Sequence, residues 1–446
     1  MKWKTTVVLL VVTIAVGAYV SLYELKQPTP QRREELANQV VQIPAEDVTA
    51  LAVELPKGKV ALTRQDGLWR LASPLQARAD ESLIRRALSE LDPLTAERVL
   101  EGTKRKPLAL AEFGLAPPRG TITVTMKDGK TTTVWLGEPT PVESNRYAAL
   151  PGSPKIFIVS NDLFDELNQP ADAYRSRELL AFETWNVTMI AVVSQSSSYT
   201  LTKQGERWRL TAQLTDDADS AACSGLLSKL RNLKVERFMA DTPPSQDSLA
   251  QWGFDQPWAR VTITLDQPER PLELLVGRPA VDNAEQVYAK RSDEPTTYAV
   301  SKVNIEDLLL KDPQTLRSPM LLEVFASQVV KVEVQWMDTS WTVEKLDGQW
   351  NAAAIPDPLD GSKVEAWLWK LRDTKLVRFV DDAPTDLARY GLEPPKGRIL
   401  VWLKDQADAK EVLIGNTVDQ GKSRYGKISG RPGIVELPEG IEPIIT

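Results

Sequence analysis

The feature that most constrains the fold is an internal repeat, because the same ordered landmarks occur three times along the chain. Each copy carries a tryptophan after a tight turn, an arginine after a helical pattern, two glycines and a tyrosine, at offsets of 137 to 142 residues between copies. The landmarks are Trp69, Trp208 and Trp350; Arg98, Arg237 and Arg378; Gly114, Gly253 and Gly391; Gly137, Gly277 and Gly415; and Tyr147, Tyr288 and Tyr425. A unit of about 140 residues has the size of a whole domain, so each copy can bury a core of its own.

The repeat predicts three tandem domains in the 446-residue chain, which we place at residues 47–180, 181–322 and 323–446. Within each copy, short stretches of alternating apolar and polar residues predict strands. One longer stretch with apolar residues three and four apart predicts a helix. The fold class that follows is α+β: a mainly antiparallel sheet with one long helix packed on it.

An aspartate precedes each predicted long helix, at Asp80, Asp219 and Asp360. A carboxylate at a helix start accepts hydrogen bonds from the free N–H groups of the first turn. We therefore interpret the three aspartates as helix caps and not as catalytic carboxylates. The recurring tryptophans are interpreted as core side chains, and the recurring glycines as structural turn positions.

The N-terminus predicts a single transmembrane anchor over residues 1–27. Lys2 and Lys4 precede an uncharged run of nineteen residues, Thr5 to Tyr23. As a helix this run is about 28 Å long, close to the thickness of the hydrocarbon core of a bilayer. The basic end stays in the cytoplasm by the positive-inside rule, so the rest of the chain is expected in the periplasm, attached to a bacterial inner membrane.

Two further features belong to this end of the chain. A cleaved signal peptide that ends near Val16-Gly17-Ala18 remains an alternative to the anchor. Residues 28–46 contain prolines and a run of charged residues, and are predicted to be a linker between the membrane and the first domain.

Composition excludes several kinds of chemistry. The chain has no histidine, so it has no histidine-based triad, general base or metal ligand. Its single cysteine, Cys223, falls on the apolar face of the second long helix and is predicted to be a buried, inert thiol. The 54 basic residues against 61 acidic ones give a net charge of −7, which argues against a nucleic acid partner. We predict neither a cofactor nor a metal, and no enzymatic activity.

Two motifs resemble ligand-binding sites but lack the spacing that such sites require. The segment from Gly415 to Ser423 resembles a phosphate-binding loop, but five residues separate its glycines where that loop has four. The carboxylates of Asp216, Asp217 and Asp219, and those of Asp381 and Asp382, lack the spacing of a calcium loop and predict a solvated acidic surface. A hydrolase with paired carboxylates stays open as a remote alternative.

The tryptophans that do not recur are the better candidates for function. Trp336, Trp341, Trp367 and Trp369 occur in the third copy alone. Trp367 replaces an apolar residue of the other helices and is predicted to lie in the core. Trp369 lies off that face, so we expect it to be an exposed contact residue.

The landmarks together resemble the family called domain of unknown function 4340. The motif is carried by Phe113-Gly114-Leu115-Ala116-Pro117-Pro118 and by Tyr390-Gly391-Leu392-Glu393-Pro394-Pro395, while the middle copy has Phe254 in place of leucine. The resemblance implies a membrane-anchored, extracytoplasmic bacterial protein that accompanies an ABC-type ATPase, its permease and a gliding-motility-like auxiliary protein. It carries over no catalytic residues.

The expected function is therefore that of a non-enzymatic accessory subunit of an ABC-type transport system, which acts by protein–protein interaction. The alternative is a periplasmic binding or scaffold protein that recognises an envelope polymer or peptide without a transporter.

Overall fold

The structure is a computed structural model that describes Trp3, Thr13 and residues 36–103, 108–141, 144–267, 271–309, 312–352, 359–418 and 421–441. Apart from Trp3 and Thr13, the predicted anchor at residues 1–27 lies outside the described residues. Within the described ranges, no helix is both long enough and apolar enough to cross a membrane.

Domain 1 is built on one large sheet, in which every strand pairing is antiparallel. The strands of this domain are β1 (Gln39–Val41), β2 (Val48–Leu55), β3 (Gly58–Gln65), β4 (Leu68–Ser73), β5 (Ala77–Arg78), β6 (Leu94–Thr95), β7 (Arg98–Glu101), β8 (Gly120–Met126), β9 (Thr131–Pro139), β10 (Asn145–Ala149) and β11 (Lys155–Ser160). Strands β1 and β6 form a separate two-stranded ribbon, and the other nine form the large sheet. The order across the sheet is β5-β4-β3-β2-β8-β9-β10-β11-β7, so the strand that follows the long helix runs to the far edge.

Domain 2 has the same order, β15-β14-β13-β12-β17-β18-β19-β20-β16. Its strands are β12 (Val187–Ser194), β13 (Ser198–Gln204), β14 (Arg207–Thr211), β15 (Thr215–Ala218), β16 (Val235–Ala240), β17 (Ala259–Leu265), β18 (Pro271–Pro279), β19 (Gln286–Arg291) and β20 (Thr297–Ser301).

Domain 3 repeats the order as β23-β22-β21-β25-β26-β27-β28-β24. Its strands are β21 (Val329–Trp336), β22 (Thr339–Leu346), β23 (Gln349–Ala352), β24 (Arg378–Asp381), β25 (Gly397–Leu403), β26 (Lys410–Val418), β27 (Ser423–Ile428) and β28 (Ile434–Pro438). The position that corresponds to β5 and β15 falls at residues 353–358, outside the described residues.

Helices connect the strands, and one long helix lies at the equivalent place in each domain. The helices are α1 (Glu81–Glu90), α2 (Asp162–Leu167), α3 (Ser220–Arg231), α4 (Gln246–Trp252), α5 (Lys302–Leu309) and α6 (Gly361–Asp373). Each of the long helices α1, α3 and α6 buries the apolar face that the sequence predicts, and that face joins the core of its own domain.

The recurring aspartates lie at the starts of these helices. Asp80 accepts hydrogen bonds from the backbone N–H groups of Ser82 and Leu83 at 2.9 and 3.0 Å. Asp219 accepts from Ala221 and Ala222 in the same way, and Asp360 accepts from Ser362. The recurring tryptophans Trp69, Trp208 and Trp350 are buried, with 5 to 8% of their surface exposed.

The two glycine columns meet at one close contact in each domain. Gly114, Gly253 and Gly391 all have positive φ angles, between 66° and 77°, and end short helical turns. The carbonyl of the residue before each of them packs against the second glycine of its own domain. A Cβ added at Gly277 would lie 2.0 Å from the carbonyl oxygen of Trp252. Glycine is required at both columns, for a left-handed turn in the first and for a close approach in the second.

The buried core of each domain begins a few residues before the domain boundary that the sequence predicts. Val40, Val41 and Ile43, which we had assigned to the linker, pack in the core of domain 1. Leu179 and Leu180 belong to the core of domain 2, and two leucines at 321–322 belong to that of domain 3. Each domain thus begins with an apolar segment laid beside the loop after its long helix. By its contacts the chain forms two units, Met1–Arg177 and Glu178–Thr446, and the second contains domains 2 and 3.

Candidate functional site

The contact residue predicted from the sequence lies at one corner of domain 3. Trp369 of α6 is 42% exposed. The guanidinium of Arg372 lies 4.2 Å from the centre of the Trp369 ring and 5.9 Å from that of Phe325. Phe325 precedes the 3-10 turn Ala326–Gln328 and is 50% exposed. We call Phe325, Trp369 and Arg372 the aromatic corner.

The direction of Trp369 follows from helix geometry. An α-helix turns by about 200° over two residues, so side chains two positions apart point to opposite faces of the helix. Trp367 is 4% exposed, and its indole N–H donates to the carbonyl of Ile441 at 3.2 Å. Trp369 accordingly faces outward. The burial of Trp367 and the exposure of Trp369 agree with the sequence, and the contact role of Trp369 stays a prediction.

The same corner has different residues in the other domains. In domain 2, Glu183 occupies the place of Phe325, and its carboxylate lies 3.4 Å from Arg231, the counterpart of Arg372. Ser228 stands where domain 3 has Trp369. In domain 1 the three counterparts are Pro44, Ser89 and Asp92. The aromatic corner is therefore a property of domain 3, and the fold does not require it.

The charges around the aromatic corner are partly matched. Arg372 donates to the carboxylate of Asp373 through Nε at 2.7 Å, and its Nη2 lies 2.6 Å from the same oxygen. The neighbouring Lys370 and Lys375 are exposed. Exposed aromatic rings beside arginine are the composition typical of the energetic centres of protein interfaces.

The acidic cluster at Asp216 is not the solvated surface that we expected. Asp216 is completely buried, and both of its carboxylate oxygens accept hydrogen bonds from arginines. Oδ1 accepts from Nε of Arg431 at 2.8 Å, and Oδ2 accepts from Nε of Arg317 at 2.7 Å and from Nη2 of Arg431 at 3.0 Å. The prediction fails because a buried carboxylate needs counter-charges, and these come from residues 101 and 215 positions away along the chain.

The arginines around Asp216 join domain 2 to domain 3. Arg317 also donates to Asp382 at 2.6 Å and stacks 3.6 Å from the centre of the Phe379 ring. Arg431 donates to the backbone carbonyls of Ser318 and Met320 at 2.7 and 2.8 Å. We call Asp216, Arg317, Arg431, Asp382 and Phe379 the junction cluster.

The remaining candidates lie in structural surroundings. Burial raises the pKa of the Cys223 thiol to about 12, with a smaller contribution from Asp219, so the thiol is held neutral. The hydroxyl of Tyr390 donates to Asp381 at 2.8 Å and is the main cause of the lowered pKa of that carboxyl. The phosphate-loop resemblance falls on the connection between strands β26 and β27. Among the described residues, no three cysteine, aspartate or glutamate side chains are grouped so that they would hold a metal ion.

Comparisons with known proteins show the family to which the chain is similar. A family model described as a domain of unknown function, DUF4340, matches the chain three times, at residues 69–238, 208–358 and 352–444. A comparison with curated proteins gives no match.

Two solved structures illustrate what the structural comparison finds. A putative DNA polymerase III beta subunit from Eubacterium rectale is 7% identical, with 91% of this chain and 94% of that one covered and a TM-score of 0.14. The DNA polymerase III subunit beta from Pseudomonas aeruginosa is 8% identical, with 93% and 96% covered and a TM-score of 0.16. TM-scores this low carry no argument about fold or function.

Proposed function

Because this chain belongs to the DUF4340 family, we propose that it is a membrane-anchored, periplasmic accessory subunit of an ABC-type transport system. Its proposed partners are an ABC ATPase with its permease, and an auxiliary membrane protein, in the inner membrane of a bacterium. It acts by binding these proteins and catalyses no reaction. The proposed anchor is the apolar run at Thr5 to Tyr23 behind Lys2 and Lys4.

The observation that carries the proposal of protein binding is the aromatic corner. A half-exposed tryptophan and a half-exposed phenylalanine held beside one arginine leave apolar surface in water, and this surface gains free energy when a partner covers it. Domains 1 and 2 form the same fold with serine in place of Trp369. The exposed ring is therefore better explained by contact with a partner than by the stability of the domain.

A specific observation favours a second candidate function, the binding of an envelope polymer without a transporter. Trp258, which has Arg119 and Lys396 as its counterparts in the other copies, lines a cavity on domain 2. A tryptophan in a groove is the feature that such a binding protein needs.

The first experiment is a pull-down of the full-length protein from its native membrane in mild detergent, followed by mass spectrometry. The expected result is an ATPase and a multi-span permease in near-stoichiometric amounts. Trp369→Ala should lower their recovery about tenfold, as truncation of an interface centre does. Leu346→Ala is the matched control, because Leu346 is 57% exposed on the same domain and lies on the strand β22, away from the helix α6.

Two outcomes of the pull-down would count against the proposal. If neither protein is recovered after crosslinking, although the chain is intact and in the membrane, the transport assignment is wrong. If both are recovered equally by Trp369→Ala and Leu346→Ala, the partner binds elsewhere. Thermal unfolding of each variant checks that the loss of recovery is not a loss of fold.

A further inference from the structure

Domain 2 carries two adjoining cavities that no part of the proposed transport function uses. The first, of about 540 Å³, lies among the turn between β12 and β13, the turn between β14 and β15, and the 3-10 turn Pro313–Leu316. The second, of about 340 Å³, lies beside Trp258. Gln195 lines both, so the two cavities lie side by side. We call the two cavities together the domain 2 groove.

The first cavity is lined by side chains that both donate and accept hydrogen bonds. Ser196 and Ser198 offer hydroxyl groups, and Gln195 and Gln213 offer carboxamides. All four residues are exposed, so their polar atoms are within reach of a ligand. A lining of neutral groups with both donor and acceptor capacity fits a ligand whose own surface is covered by hydroxyl and amide groups.

The charged residues of the first cavity already make hydrogen bonds within the chain. Arg317 gives its Nε to Asp216 and its Nη1 to Asp382 and Gln314. Asp312 accepts a hydrogen bond from the backbone N–H of Gln314 at 2.9 Å. A phosphate or carboxylate ligand would therefore have to compete with the junction cluster for its counter-charge. The cavity favours an uncharged ligand.

The second cavity adds an aromatic ring to these polar groups. It is lined by Trp258 with Pro279 and Val287 and by the exposed Arg278. Lys302 and Glu306 form an ion pair of 3.8 Å in its wall. An indole ring presents a partly negative face, against which the polarised C–H groups of a sugar ring pack well. Polar groups in one cavity and an aromatic ring in the next are the two kinds of contact that a polyhydroxylated chain requires.

A peptide has no strand edge to join at this groove. β13 is paired on both sides, with β12 and with β14. β15 is the edge strand of the sheet, but the segment Leu316–Ser318 already covers its outer side. The backbone N–H of Asp219 donates to the carbonyl of Leu316, and that of Ser318 donates to Asp217, both at 2.8 Å. Binding by strand addition, the commonest way to hold an extended peptide on a sheet, is therefore not open here.

Domain 1 shows that the fold can close this region. The backbone N–H of Lys57, in the turn between β2 and β3, donates to Oδ1 of Asn168 at 3.0 Å. A Cβ added at the next residue, Gly58, would lie 3.3 Å from the carbonyl oxygen of Gln169. The turn of domain 1 thus packs directly on the segment that follows α2, whereas the turn between β12 and β13 of domain 2 lines the first cavity.

From these contacts we infer that the domain 2 groove binds a polysaccharide chain, with uncharged hydroxyl and amide groups held in the first cavity and one sugar ring packed on Trp258. The inference rests on the second of the two proposed functions, because it names the chemistry of the polymer. It requires no transporter, and it is tested separately from the pull-down.

The test is a calorimetric titration of the full-length protein in lipid nanodiscs, which avoids detergents with sugar headgroups. The probes are cellohexaose, fully N-acetylated chitohexaose and maltohexaose, with hexaglycine as the peptide probe. We expect at least one hexasaccharide to bind with a Kd between about 10 μM and 1 mM, and no heat from the peptide. Trp258→Ala should weaken that binding at least about tenfold, and Gln195→Ala by about threefold. Trp185→Ala is the matched control, since Trp185 is 74% exposed on the same domain and lines neither cavity.

Trp258 also packs against the core of domain 2, so a second variant protects the test against a loss of fold. Ser198→Tyr places a ring at the first cavity and should abolish binding while Trp258 is intact. The inference is overturned if all three hexasaccharides fail to bind, if hexaglycine binds as tightly as they do, or if Ser198→Tyr binds like the unchanged protein. A failure here leaves the pull-down result untouched, because Trp258→Ala and Ser198→Tyr should still recover the ATPase and permease.

Discussion

Among the arginines of the second unit that lie over aromatic rings, Arg317 is in a closed setting and Arg372 is in an open one. Arg317 lies 3.6 Å from the centre of the Phe379 ring and is 3% exposed. Its Nε and Nη1 donate to groups of the same chain. Arg372 lies 4.2 Å from the Trp369 ring, and 31% of its side chain is exposed.

The difference teaches which arginine serves the fold and which is available to a partner. A buried charge is tolerated only where counter-charges and hydrogen bonds surround it, and removal of one member leaves the others without a partner. Removal of an exposed cation or of the exposed ring beside it costs the fold little stability, because water replaces the lost contact. The junction cluster should therefore govern stability, and the aromatic corner should govern binding.

The largest effect is expected at Asp216. Asp216→Ala leaves the guanidinium groups of Arg317 and Arg431 buried without their shared carboxylate, and should cost about 3 to 5 kcal/mol of stability. The measurement is the denaturant midpoint of the full-length protein, with hydrogen exchange of the backbone around Ser318. Faster exchange at this segment would show that the contact between domains 2 and 3 has loosened.

Asp217 provides the neighbouring control for Asp216. Its carboxylate pairs with Arg209 at 2.7 Å, and 36% of its side chain is exposed. Asp217→Ala should cost less than about 1 kcal/mol, as the loss of a surface pair does. Equal costs for the two substitutions would contradict the distinction between the closed and the open setting.

An intermediate effect is expected at the helix cap of α3. Asp219→Ala removes a carboxylate that accepts two backbone N–H groups, and should cost about 1 kcal/mol. These N–H groups lie at the surface, so water replaces part of what is lost. Denaturant unfolding of the variant gives the value. Asp219→Asn should recover most of the loss, because asparagine caps nearly as well as aspartate, and a cost near that of Asp216→Ala would mean that Asp219 does more than cap.

The buried, recurring part of this architecture was predictable from the sequence, and the reason is physical. Trp69, Asp80 and Gly114 each satisfy a local requirement of one domain, and the same requirement returns in every copy. Helix faces and strand alternation are local patterns as well. The exposure of Trp369 was predictable for the converse reason, because this residue departs from the repeated pattern at a helix position off the apolar face.

The junction cluster and the domain 2 groove were beyond prediction. Asp216 lies in an acidic run that looks the same whether it is solvated or paired, and its partner Arg431 is 215 residues away. The groove depends on how the turn at Gln195 lies against the segment near Asp312, which no spacing reveals. The boundaries were displaced because the first apolar residues of each domain, such as Leu179, precede its sheet and resemble a linker.

The smallest effect on stability is expected at Arg372. Arg372→Ala removes a stack on Trp369 and a contact with Asp373, both at the surface, and should change stability by less than about 1 kcal/mol. The same substitution should lower the recovery of the ATPase and permease in the pull-down, because the Trp369 ring loses the guanidinium that orients it. A large loss of stability with unchanged recovery would assign the aromatic corner to the fold and reverse the comparison with Arg317.

Cys223 reports whether the core of domain 2 stays closed, because burial of its thiol controls its reactivity. Its pKa is raised from 9.0 to about 12, so the thiol is neutral in the folded protein. A raised pKa favours the protonated form in the fold, so its contribution to stability is complete below pH 9 and is lost as the pH rises towards 12. Alkylation by iodoacetamide at about pH 8, followed by mass spectrometry, should label Cys223 in denaturant and leave it unlabelled in the native protein. Native labelling at the denatured rate would show that α3 opens readily, and Asp216→Ala should increase that labelling if the junction cluster helps to hold domain 2 closed.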